Sequence, residues 1–100
     1  MAFAIMCKDK PGHLHLRLET RTQHIEYLKS FGDKLLVGGP LMDGSEDPKP
    51  YGTLAILDFQ DRAEAESFAN NDPYAKAGLF ESVIIEPWTA VIGQWAPPAG

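Results

Sequence analysis

Tyr51-Gly52-Thr53-Leu54-Ala55-Ile56-Leu57-Asp58-Phe59 runs directly into Gln60-Asp61-Arg62-Ala63-Glu64. In an extended chain Tyr51, Thr53, Ala55, Leu57 and Phe59 share one face, and Leu54 and Ile56 lie on the other. This alternation predicts a strand. Asp61 then stands where a helix N-cap belongs, with Glu64 at capping-box spacing. Ala63, Ala65, Phe68 and Ala69 give that helix a small apolar surface, and Asn70-Asn71 end it. Asp72 caps a further short turn with Pro73 at its first helical position.

Upstream, Leu41 to Pro50 carries Asp43-Gly44, Asp47-Pro48 and Lys49-Pro50, and reads as a long polar loop placed to act as a lid. Leu35-Leu36-Val37-Gly38-Gly39 reads as a strand closed by Pro40. Before it, Arg21, His24, Ile25, Leu28 and Phe31 keep a helical period that ends at Gly32. Thr20 and Gln23 have capping-box spacing at its start. His13-Leu14-His15-Leu16 is either an extended approach to this helix or its first turn. Ala2 to Cys7 is an apolar run read as the first strand. Downstream, Leu79 to Glu86 predicts a fourth strand interrupted by Pro87, and Thr89 to Trp95 a fifth. Ala96-Pro97-Pro98-Ala99-Gly100 is expected to fray.

The order β-α-β-β-α-(short α)-β-β predicts an α+β fold, a ferredoxin-like split βαβ protomer with an additional short helix and a C-terminal strand. Two helices would cover one sheet face. The other face is expected to pack against a second copy, giving a homodimer through sheet faces. With 100 residues the chain is read as one domain, 1–95, followed by a disordered tail, 96–100.

Composition excludes several functions. The net charge of −5 and the scattered basic residues give no footprint for nucleic acid. No run approaches the roughly 20 apolar residues of a membrane span. No secretory leader is read at the N-terminus, and the expected location is cytoplasmic. Cys7, the single cysteine, has no disulfide partner and sits in an apolar run, as a buried small residue does. His13 and His15 alternate without a third ligand, so no metal is expected, and no cofactor motif is present.

Two short patterns carry chemistry: Arg21-Thr22-Gln23-His24 with Tyr27, and Asp72-Pro73-Tyr74. An imidazole can take and return a proton near neutral pH. A carboxylate beside it would fix its tautomer and stabilise its charged form. Neither pattern contains a serine or cysteine nucleophile, which points to proton abstraction, elimination or isomerisation rather than acyl transfer. The alternative is that His24 and Asp72 only join the first helix to the short turn. Arg21 is either a ligand for a carboxylate or phenolate or one half of a surface ion pair. Tyr27 and Tyr74 either line an apolar pocket or pack in the core. Gly39 and Pro40 are read as pocket wall.

The combination of Arg21-Thr22-Gln23-His24-Ile25-Glu26-Tyr27-Leu28, Val37-Gly38-Gly39-Pro40, Gly52-Thr53-Leu54 and Asp72-Pro73-Tyr74-Ala75-Lys76-Ala77-Gly78-Leu79-Phe80 resembles the YciI-like proteins, or YCII-related domain, from Phe3 to about Ile92. The resemblance implies a dimeric α+β barrel built from ferredoxin-like protomers, with a histidine–aspartate site that maps to His24 and Asp72. One characterised relative is a dehydrochlorinase acting on a chlorinated hydroxyhydroquinone. The reading that follows is a lyase or isomerase acting without a cofactor on a small cyclic or aromatic ligand, anionic or phenolic. His24 and Asp72 would be catalytic; Arg21, Tyr27, Gly39, Pro40 and Tyr74 would bind substrate. The rival readings are a dimeric module that binds a small metabolite without turnover and a purely structural protein.

Overall fold

The computed structural model describes residues 1–96. The chain runs β1 (Ala2–Asp9), α1 (Leu14–Lys29), a 3₁₀ turn at Gly32–Lys34, β2 (Leu35–Met42), β3 (Pro50–Asp58), α2 (Arg62–Asn71), α3 (Pro73–Lys76) and β4 (Phe80–Trp88). The four strands form one antiparallel sheet in the order β2-β3-β1-β4.

Register decides the core. Phe3 pairs with Leu57, Ile5 with Ala55 and Cys7 with Thr53, so these residues share one face. On the other side of β1, Ile5 pairs with Ile85. This is the face that the helices cover. Its apolar residues join Leu28 of α1 and Ala65, Phe68 and Ala69 of α2 in one buried cluster. Phe31, Phe59 and Phe68 meet within it, with ring centroids 5.0–5.9 Å apart. The opposite face holds Met6 beside Leu54 and Ile84. There Leu36, Ile84 and Trp88 are exposed.

Three expectations are corrected. First, the sheet is open. β2 and β4 are its two edges, and no pairing closes them into the barrel that the resemblance implied. Four strands leave two free edges, and each edge carries a proline, Pro40 in β2 and Pro87 in β4. Proline lacks a donor, so it is tolerated where the N–H side of a strand faces outward. For the same reason neither proline stops its strand: β2 continues to Met42 and β4 to Trp88. Second, no strand follows β4 among the described residues. Residues 89–96 form bends and a turn, and Thr89, Ala90 and Trp95 border a groove with Ile56 and Leu36 on the open face. The tail residues 97–100 lie outside the described residues.

Third, α1 begins at Leu14, six residues before the Thr20–Gln23 capping pattern. Its N-cap is His13, which makes no side-chain cap bond. The chain turns into the helix at Gly12, whose φ of 74° suits glycine. The two aspartate caps do form: Asp61 accepts from the Glu64 N–H at 3.0 Å, and Asp72 from the Tyr74 N–H at 2.9 Å. The loop expected from Leu41 to Pro50 is shorter, because Leu41, Met42 and Pro50 belong to β2 and β3; residues 43–49 form the turn between them, in which one Asp43 oxygen accepts from Ser45 and Lys49. Among the described residues no helix is long and apolar enough to cross a membrane.

Gly52 is where β2, β3 and β1 crowd most closely. A Cβ there would sit 2.5 Å from the Cys7 carbonyl oxygen and 2.8 Å from a Leu41 methyl. Gly39 has nothing within 4 Å of the same position. Gly52→Ala is therefore expected to cost about 1–3 kcal/mol through overpacking. Gly39→Ala should add about 0.5–1 kcal/mol by removing backbone freedom from the unfolded chain. Urea unfolding of the two variants, measured side by side, checks both signs.

Candidate active site

Extending the helix back to Leu14 puts Arg17 in phase with the residues beyond it. At 100° per residue Arg17 lies within about 20° of His24, with Arg21 and Leu28 on the same stripe. That stripe faces β2, β3 and α3. Arg17, His24 and Leu28 are its buried members, and Arg21 is exposed.

α3 brings Asp72 to this stripe. The short helix begins at Asp72-Pro73 because α2 has ended at Asn71 and proline starts a new turn. Asp72 is 3% exposed and His24 6%. The His24 Nδ1 lies 2.9 Å from Asp72 Oδ1 and 3.0 Å from Oδ2. A carboxylate only accepts, so Nδ1 carries the proton, and in the neutral ring Nε2 keeps its lone pair. Nε2 has no partner in the protein, and no buried side-chain polar atom among the described residues lacks one, so Nε2 reaches accessible space. The Tyr74 ring stacks on the imidazole, centroids 4.0 Å apart and planes 20° apart. Proton, orientation and ring plane are thus all fixed by α3.

A cavity of about 350 Å³ opens beside the imidazole. Its size is at the lower end for small-molecule sites. α1 contributes Arg17, Arg21, His24 and Lys29; β2 contributes Gly38, Gly39 and Pro40; β3 contributes Thr53 and α3 Tyr74. The glycines of β2 leave space that side chains would fill. Arg17, Arg21 and Lys29 border the cavity in a chain whose net charge is −5, with the buried carboxylates of Asp9 and Asp72 behind Arg17 and His24.

Of the residues singled out in the sequence, His24, Asp72, Arg21, Gly39, Pro40 and Tyr74 converge here, all but Asp72 lining the cavity itself. Tyr27 is placed elsewhere. Its hydroxyl donates to the Phe68 carbonyl at 2.8 Å, its ring stacks on Phe68, and it does not line the cavity. Burial, with a smaller contribution from the Asp72 charge, pushes its hydroxyl up to about 12. Burial likewise raises Tyr74, while the Arg17 guanidinium pulls the other way. Tyr74 therefore meets a ligand as a neutral phenol.

Arg17 is the residue the sequence reading leaves unassigned. It is 3% exposed. Nε and Nη2 donate to the two oxygens of Asp9, and Nη2 also donates to Thr53 Oγ1 at 2.9 Å. Its guanidinium carbon lies 4.4 Å from the centroid of the Tyr74 ring. The available signal is periodicity: with a helix started at Thr20 Arg17 falls outside the pattern, and with the register carried back it falls in line.

A family model for the YCII-related domain matches residues 1–89. The chain belongs to the YCII-related domain family. Protein YciI of Escherichia coli is 33% identical over 97 residues, spanning 91% of this chain and 99% of the relative. An uncharacterised protein of Haemophilus influenzae is 33% identical over 98 residues, with the same coverage. Among solved structures, the 5-chloro-2-hydroxyhydroquinone dehydrochlorinase of Burkholderia phenoliruptrix, in complex with 2,5-dihydroxybenzoquinone, superposes with a TM-score of 0.83. It is 36% identical, and the match covers 97% of this chain and 100% of that one. An antibiotic biosynthesis monooxygenase, 14% identical with a TM-score of 0.53 and coverage of 89% and 99%, shares the fold alone.

Cys7 does not line the cavity. The thiol is buried among apolar side chains, and burial, reinforced by the charges of Asp72 and Asp9, pushes it up to about 12 from 9.0. Between those values the unfolded chain loses the thiol proton and the folded chain keeps it, so stability falls as pH rises. The slope from this one group is about 1.4 kcal/mol per pH unit. Cys7→Ala should remove that slope from the difference between stability curves measured by urea unfolding at pH 9 and 10.5. Native Cys7 should also resist a thiol reagent that labels it at once in urea.

Proposed function

We propose that the protein is a small-molecule lyase or isomerase in which His24 and Asp72 move protons on a small cyclic or aromatic substrate. The observation that carries this reading is the imidazole held at Nδ1 by a buried carboxylate with Nε2 free at a cavity. In this mechanism Nε2 takes a proton from a carbon or hydroxyl beside a ring carbonyl. The electron pair of the broken bond moves to the ring oxygen, and Asp72 balances the imidazolium that forms. The intermediate then expels a leaving group, which is elimination, or takes the proton back at another atom, which is isomerisation. No step is routed through a cofactor. The likeness to a dehydrochlorinase that holds a dihydroxybenzoquinone supports elimination from a phenolic ring as the first reaction to try.

A second reading, ligand binding without turnover, is favoured by one feature: Asp72 Oδ1 also accepts the Tyr74 N–H, so the carboxylate has a structural duty in any case. Self-association through the open sheet face belongs to either reading, because Leu36, Ile84 and Trp88 stand exposed there. Sedimentation equilibrium should then give twice the chain mass for the wild type and the single mass for Ile84→Lys. A single mass for both refutes it.

The deciding assay follows chloride release from 5-chloro-2-hydroxyhydroquinone, alongside calorimetric binding of 2,5-dihydroxybenzoquinone. His24→Gln is expected to lower release about 100-fold or more with helix content unchanged. Asp72→Asn, which leaves the wrong tautomer, should lower it comparably. Binding without release would select the second reading, and neither binding nor release would remove both.

A further inference from the structure

Arg17 has five N–H donors, and its surroundings use three. Nε–H and one Nη2–H go to Asp9, and the other Nη2–H goes to Thr53. Nη1 donates to nothing in the protein. Yet no buried side-chain polar atom among the described residues lacks a partner, so Nη1 is not sealed in. Arg17 is 97% covered and the space it borders is the cavity that His24 and Tyr74 also line. A guanidinium locked on two sides, with its third edge open to a cavity, is a preorganised donor. It pays no rotamer entropy to bind an anion, and it is shielded from the solvent that screens Arg21 and Lys29.

We propose that Arg17 Nη1 is an oxyanion-binding subsite, and that the substrate of the His24–Asp72 pair is a planar ring bearing an ionised oxygen, a phenolate or enolate. This rests on the reading of the cavity as a small-molecule site. The Arg17 guanidinium carbon and the His24 ring lie 4.4 and 4.0 Å from the same Tyr74 centroid. Both also line the same cavity, and in this proposal a single six-membered ring sits there with an oxygen toward Arg17 and a proton toward Nε2. While Nε2 takes the proton, the electron pair of the broken bond enters the ring and departs with the leaving group or returns to another ring atom. The oxygen held by Arg17 is already ionised and shares the electron density that builds up in between, which is where a donor is needed. Arg17 thereby selects the ionised ring and lowers the barrier. Asp9 cancels the guanidinium charge in the empty protein, so the site is tolerable without a ligand.

The test uses 4-nitrophenol, whose phenolate has its own visible band, with nitrobenzene as the neutral comparison. At neutral pH the wild type should raise the phenolate fraction of bound 4-nitrophenol and bind phenolate at least tenfold more tightly than nitrobenzene. Arg17→Gln alone strands Asp9 and risks unfolding. The double variant Asp9→Asn/Arg17→Gln replaces the ion pair with a neutral pair of the same shape. It should lose the phenolate preference while still binding nitrobenzene. In His24→Gln the preference should survive, because the guanidinium and not the imidazole creates it. A preference kept by the double variant, or lost on His24→Gln or Arg21→Gln instead, overturns the Arg17 subsite. Binding of both probes without preference overturns the subsite and leaves the cavity reading standing. Binding of neither overturns both.

Discussion

The Asp72 carboxylate is shared between two elements at once. One oxygen caps α3 through the Tyr74 N–H and, with the other, takes the His24 Nδ1 from α1. The residue also ends α2. Three helices therefore meet at one buried charge. A carboxylate with almost no exposure is tolerated only when it is hydrogen-bonded, and here each oxygen has a donor within 3.0 Å. The consequence for chemistry follows from this constraint. The bond that makes Asp72 tolerable also directs the Nδ1 proton of His24 at the carboxylate and turns Nε2 toward the cavity.

A second buried pair repeats the logic on the other flank of Tyr74. Arg17 and Asp9 neutralise each other under α1, and Thr53 of β3 takes a further donor. Buried ion pairs contribute little net stability, because desolvation consumes most of the attraction. Their value is positional. Tyr74 is touched by the guanidinium on one pair and the imidazole on the other, which holds a neutral phenol between two oriented polar groups. A cavity of this size in so small a domain subtracts from an already modest core, and the glycines of β2 keep it open. The aromatic rings of Phe31, Phe59 and Phe68 pack against one another within the core that the helices cover.

The open sheet places the chemistry and the free apolar surface on opposite sides. Helices seal the face that holds Phe3, Ile5 and Leu57, and the site lies at the margin of that seal. The other face carries Ile84 and Trp88. Pro40 and Pro87 blunt both edges, which discourages strand addition and leaves face-to-face packing as the available mode.

Local rules made much of this legible. Alternation located β3 and the apolar strand β1, and the short-range spacing of Asp61 and Asp72 before Glu64 and Pro73 marked two real caps, because a cap is settled within one turn of chain. His24 and Asp72 could be singled out as chemical residues, and their family pattern suggested a pair. The errors also have physical causes. Thr20–Gln23 has the spacing of a cap, but the helix already runs from Leu14, and Arg17 within it pairs with Asp9 of β1, a contact between different elements. Pro87 and Pro40 looked like breakers because edge position, unlike proline's missing donor, is a property of the whole sheet. Tyr27 and Tyr74 are equivalent as residue types, yet one turns to the Phe68 carbonyl and the other to the cavity. Sequence alone located β1, β3, α2 and the two aspartate caps and fixed where the acid–base groups stand along the chain. Only the tertiary structure decided which of those groups share a cavity, whether the sheet closes and which arginine is buried, because each depends on contacts between residues far apart in the chain.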